Sequence, residues 1–146
     1  MKKTGTELLE SINPYYADVP EVQQAAALLP ADYRPIDADW VERNQEAVAL
    51  LKKAFDSKGG IHLLSVDDYA VIARAPSREI LNRGAKEAGQ VDRIEADFKF
   101  VSQCMLYPSP ALLAGWMNEH AGVASAFASK LLELSKANQE AQAKKL

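Results

Sequence analysis

The sequence predicts an α+β domain, mostly α-helical, with one β-hairpin packed against four or five helices. Three observations carry this. Ile61 to Val66 and Tyr69 to Ala75 are short runs rich in Ile, Val, Leu and Tyr on either side of Asp67-Asp68, the pattern of two strands joined by a tight turn. The stretches around them repeat apolar residues at steps of three and four, the helical period. A lone two-stranded ribbon is marginal in water, so those helices must cover it.

The chain has 146 residues, a length suited to one domain that buries roughly 70% of its unfolded surface without disulfides or metals. Apolar residues make up 48% and charged residues 25%, an ordinary globular balance. Seventeen basic against twenty acidic residues give a net charge of -3, which lacks the basic excess that phosphate neutralisation requires. Cys104 is the sole cysteine, so no internal disulfide is expected. The opening MKKTGTELLES is basic but has no apolar core of signal-peptide length. No run of about 18 apolar residues suggests a membrane span. The expected compartment is the bacterial cytoplasm.

Residues 1–35 read as a proline-punctuated N-terminal extension, cut by Pro14, Pro20, Pro30 and Pro35. The first dozen residues are expected to be loosely held. Pro20 opens a short helix over Glu21 to Leu29, with Asp18 or Val19 near its cap. Residues 36–134 form the single helical domain, with the hairpin at 61–75, and residues 135–146 a polar tail. Asp37 or Asp39 caps a helix whose apolar face holds Trp40, Val41, Ala47, Val48, Leu51, Ala54 and Phe55. Asp56 to Gly60 stops it, glycine providing the left-handed cap. In the second strand Tyr69, Val71, Ala73 and Ala75 share one face, and Ala70, Ile72 and Arg74 the other. Pro76 ends the ribbon and Ser77 caps the next helix, which holds Ile80, Leu81 and Ala85 and fades near Gly89. Val91, Ile94, Phe98, Val101 and Met105 then form a narrow apolar seam on a third helix. Tyr107-Pro108-Ser109-Pro110 breaks it, and Ser109 and Pro110 fit the cap and first turn of a final helix. That helix buries Leu113, Trp116, His120, Val123, Phe127, Leu131 and Leu134, while Gly115 and Gly122 are points where it can bend or split.

No local pattern encodes catalysis. His62 and His120 belong to no metal-ligand spacing, so neither metal nor other cofactor is expected. A remote Cys104–His120 pair for nucleophilic chemistry is the enzyme reading; the plainer one is a small core residue on a helix. Asp67 and Asp68 read as turn residues rather than a carboxylate pair. Gly59-Gly60 precedes a strand, the wrong context for a phosphate cradle. Arg74, Arg78, Arg83, Lys86 and Arg93 make a locally basic stretch, read as a solvated face among many acids. The candidate partner-binding residues are Ile94, Phe98, Val101 and Met105 of the seam, with Trp116 and Phe127. The alternative for all six is intramolecular core.

The run from Ile61 to Leu81, IHLLSVDDYAVIARAPSREIL, resembles the start of tail assembly chaperones of long-tailed bacteriophages. In those proteins a hairpin-and-helix unit leads into a helix ending in a cysteine, and a last helical segment closes the chain. The matching residues here are Leu64, Val66, Asp67, Asp68, Val71, Arg74, Pro76, Ser77, Arg78 and Leu81, then Phe98 and Cys104. The resemblance spans residues 61–134, and the first 60 have no counterpart in the short members. It implies a non-enzymatic chaperone with no catalytic residues and no cofactor, working in the cytoplasm of the bacterial host. Its partner would be the tape measure protein, with the tail tube protein and a second copy of the chain as further partners, and neither nucleic acid nor membrane. The alternatives are a small cysteine-dependent enzyme and a structural phage or bacterial adaptor.

Overall fold

The computed structural model describes residues 13–142 apart from 31, 88, 90 and 91, with side chains as far as Ser135 apart from residue 87. The fold is α+β and mostly helical, as the sequence predicts. Its α-helices are α1 (Pro20–Leu28), α2 (Ala38–Arg43), α3 (Gln45–Phe55), α4 (Arg78–Glu87), α5 (Arg93–Cys104), α6 (Pro110–Glu119) and α7 (Val123–Gln142). The strands are β1 (Ile61–Val66), β2 (Tyr69–Arg74) and β3 (Met105–Tyr107). The expectations for residues 1–12, for Val91 and for the side chains of the tail fall outside the described residues.

Local chemistry sets most boundaries. The Asp37 carboxylate accepts from the Trp40 N–H at 2.8 Å, Ser77 Oγ from Ile80 N–H at 3.2 Å, and Ser109 Oγ from Ala111 N–H at 3.4 Å, each satisfying a donor the first turn leaves open. Gly59 and Gly60 have φ of 96° and 77°, where a side chain would be strained, and they turn the chain from α3 into β1. Asp67 has φ of 51°, a conformation Asp tolerates better than most residues.

The sheet order is β1-β2-β3, all antiparallel. Ile61 lies opposite Arg74 and Val66 opposite Tyr69. β3 pairs Tyr107 with Ile72 and Met105 with Ala73, with a shift of register between the two. The alternation in β2 sorts its side chains onto two cores, as read from the sequence. Val71 and Ala73 pack with Ile80, Val101, Cys104, Leu113, Phe127 and Leu131 of α4 to α7. Ala70 and Ile72 pack with Tyr16, Val22, Ala25, Leu29, Trp40, Leu51 and Phe55 on the opposite face. Helices therefore cover both faces of the ribbon. Each large side chain fully buried in this way contributes about 1.5–3 kcal/mol.

Several expectations are corrected. The helix expected from Trp40 to Phe55 breaks at Asn44, whose φ of -115° and ψ of 24° leave the helical region. Its side-chain amide donates to the Trp40 carbonyl at 2.8 Å, the local competition that makes Asn a poor interior helix residue. Met105 is not the last residue of the third helix but the first of β3. The final helix splits into α6 and α7, and His120 is an exposed helix-end residue instead of a core one. These two splits turn the four or five helices expected into the larger set observed. Within the stretch 1–35 expected to extend from the domain, Tyr16, Val22, Ala25 and Leu29 instead pack into the core with Trp40, Leu51 and Phe55.

That first stretch supplies polar plugs as well as apolar ones. The Asn13 amide donates to the carbonyls of Ser102, at 2.7 Å, and Met105. The Tyr16 hydroxyl donates to the Gln103 carbonyl, and the Tyr107 hydroxyl to the Pro30 carbonyl at 3.0 Å. The open carbonyls at the end of α5 are thereby satisfied. Tyr33 serves the sheet edge. Its hydroxyl donates to the Ala70 carbonyl and accepts from the Ala70 N–H, both at 3.0 Å. Ala70 lies where β3 no longer reaches, so one phenol stands in for the missing strand.

Arg74 is not part of a solvated basic face. It is only 9% exposed. Its Nε donates to the Ala75 carbonyl at 3.1 Å, and its guanidinium sits 4.8 Å from the Phe55 ring centroid, a cation–π distance. No carboxylate pairs with it among the described residues. Phe55 ends α3, and the Tyr16 phenol beside Arg74 is bonded to the end of α5. Two aromatic side chains from remote parts of the chain thus flank this buried cation.

Candidate functional site

The six candidate partner-binding residues separate by burial. Val101, Met105 and Phe127 are fully enclosed and Trp116 is 8% exposed; all four belong to the core around Val71 and Ala73. They are interior residues, unavailable to a partner in the folded chain. Ile94 is 48% exposed and Phe98 is half-buried. The seam is therefore core at its C-terminal end and surface at its N-terminal end.

Ile94 and Phe98, one turn apart, form one wall of an open groove between α5 and α6. Ala114 and Met117 form the other, and the volume is about 330 Å3. Alanine leaves room and methionine adapts its shape, a combination suited to receiving an apolar side chain. Asp92, Glu95 and Asn118 complete the lining. Asp92 caps α5 by accepting from the Glu95 N–H at 2.9 Å, and Glu95 is 3.7 Å from Lys99 Nζ. The lining thus combines apolar side chains with two carboxylates. A second groove of about 270 Å3 runs between α4, α5 and α7, lined by Leu81, Ala85, Ala96, Phe100 and Leu132. Leu132 is 45% exposed.

Met117 and Leu132 were missed by sequence reasoning. Leu132 carried a signal, since it falls off the buried stripe of Val123, Phe127, Leu131 and Leu134. An apolar residue off the stripe marks surface that is not fully polar.

The groups considered for chemistry do not converge. Cys104 is enclosed, and burial pushes its thiol up to about 12, with the nearby Arg74 charge opposing. It holds its proton at neutral pH and is not the thiolate that nucleophilic attack requires. His120 lies at the surface, its ring centroid 5.8 Å from that of Tyr69. The Tyr69 hydroxyl donates to Glu119 at 2.8 Å, a bond that raises the phenol's pKa. His62 Nε2 lies 3.2 Å from the Gly59 carbonyl oxygen. Among the described residues no group of three His, Cys, Asp or Glu could hold a metal ion, and no helix is long and apolar enough to cross a membrane.

The fold and its surface define a class, an α-rich α+β domain with side-chain-sized apolar grooves between its helices. No family model, curated protein or solved structure matches this chain.

Proposed function

We propose that this protein is a non-enzymatic tail assembly chaperone that binds the tape measure protein of a long-tailed bacteriophage in the host cytoplasm. The observation that carries the reading is the groove between α5 and α6, with Ile94 half-exposed at its mouth. A tape measure protein is a very long helical chain that exposes apolar stripes until the tail tube encloses it. A helix laid in the groove covers such a stripe by apolar contact. Holding the stripe out of water suppresses aggregation, and the shallow contact lets the chaperone leave as the tube grows.

The test is co-expression with the tape measure protein, followed by pull-down at low and high salt. Capture is expected at both, because apolar contact is weakly screened. Ile94→Asp is expected to lower affinity by about 10–100-fold, the range for losing an interface anchor. Its melting temperature should be retained, since the side chain is already solvated. Equal capture by Ile94→Asp, or no capture by the unaltered chain, refutes the reading.

A further inference from the structure

The outer face of α3 carries a charge and shape pattern that neither the core nor the proposed partner groove uses. Glu46, Ala49, Leu50 and Lys53 follow spacings of three, four and seven and so form one stripe along the helix. The opposite stripe, Ala47, Val48, Leu51 and Phe55, is buried. Ala27 and Leu28 of α1 flank the outer stripe, and together they line a groove of about 580 Å3. Leu28 is 49% exposed, and Leu50 is half-buried. Neither Glu46 nor Lys53 forms an ion pair among the described residues.

We propose that this stripe is an interface between two copies of the chain, joined about a two-fold axis with their α3 helices antiparallel. The argument is the symmetry of the stripe. A two-fold axis through the midpoint of Ala49 and Leu50 sets Glu46 of one copy against Lys53 of the second, and Lys53 of the first against Glu46 of the second. The same operation sets Ala49 against Leu50 in both directions. Opposite charges meet opposite charges and each small residue meets a large one, so the surface is complementary to itself, as an isologous contact requires. Glu46 and Lys53 lie about 10.5 Å apart along the axis, which separates the two ion pairs and leaves the apolar centre between them. Leu28 of each copy closes the flank. One three-turn helix with part of a second covers less than the roughly 1,200–2,000 Å2 of a stable dimer, so association depends on concentration. The contact lies on the opposite side of the sheet from the groove between α5 and α6, and it stands or falls independently of the proposed function.

Sedimentation velocity on the full chain, at concentrations rising to about 0.5 mM, tests the proposal. The weight-average mass should climb from the 16.0 kDa of one chain towards twice that value. Lys53→Glu and Glu46→Lys each place like charges together at both ends, so each variant alone should remain monomeric. Mixed in equal amounts, the two variants restore both ion pairs and should sediment as a heterodimer. Both positions are solvent-exposed, and circular dichroism of each variant establishes that it is folded. A monomeric unaltered chain at the highest concentration overturns the proposal. So does a dimer that survives in both single variants, or a mixture that stays monomeric.

Discussion

Replacing Tyr33 by Phe removes one oxygen atom and tests whether a side chain completes the sheet. The ring should keep its place, because it packs edge-on against Trp116 with centroids 5.1 Å apart. What is lost is the partner of both the Ala70 N–H and the Ala70 carbonyl. Ala70 is buried, so each group becomes a candidate for an unsatisfied polar atom, at about 1–3 kcal/mol apiece. Tyr33 is only half-buried, so water reaches part of the site and the combined loss should lie near the low end, about 2–3 kcal/mol. For a chain of this length that lowers Tm by about 4–12 °C. Hydrogen exchange supplies the residue-specific measurement. The Ala70 amide should be protected in the unaltered protein and exchange much faster in Tyr33→Phe, while the amides that bridge β1 and β2 stay protected. A Tm unchanged within error, with the Ala70 amide still protected, would refute the surrogate-strand reasoning.

Two further outcomes follow from the buried titratable groups. A thiol reagent should not label Cys104 in the native protein at neutral pH, and Cys104→Ala should fold with a loss of about 1–2 kcal/mol. Cys104→Ser should lose more, because its hydroxyl adds a buried polar group; rapid native labelling would contradict the enclosure. Stability should fall on the alkaline side. The folded Cys104 thiol keeps its proton to about 12 whereas its ordinary value is 9.0, and Tyr107 is likewise pushed up to about 12 from 10.0 by burial. The unfolded chain therefore releases protons first as pH rises, so the contribution is complete below pH 9 and is lost from there towards 12. Melting curves at stepped pH should show this decline, and Cys104→Ala should delay its onset towards pH 10, the ordinary value for a tyrosine.

What the sequence made legible is what short-range chemistry decides. The caps at Asp37, Ser77 and Ser109 and the glycine stop after Phe55 depend on neighbours within a few positions, and each is found where the local pattern puts it. The two faces of β2 were readable for the same reason, since alternation needs no tertiary information. β3 was not readable, because Met105 continues the helical spacing of Val101 and the strand has three residues, too few to show a period of two. His120 sits at a helical step from Trp116 but at a helix end, where the stripe no longer faces the core. The candidate site failed in a different way. Helical spacing finds an apolar face but does not say whether that face meets the interior or solvent, so Val101 and Phe127 looked like Ile94. Arg74 looked solvated because a buried cation is rare, and the Tyr16 and Phe55 rings beside it come from remote parts of the chain.

The anchoring of Asn13 and Tyr16 has a consequence for the order in which the chain closes. Their partners at Ser102, Gln103 and Met105 lie 87–92 residues further on. At about 5–20 residues per second, these residues leave the ribosome about 4–18 s before the groups they bind. During that interval the ribbon lacks β3, and the end of α5 that they close does not yet exist. The first described residues to be made are therefore among the last to be fixed. A nascent chain stopped short of Ser102 lacks the carbonyls of Ser102, Gln103 and Met105 that hold Asn13 and Tyr16, and it lacks the Tyr107 hydroxyl that donates to Pro30.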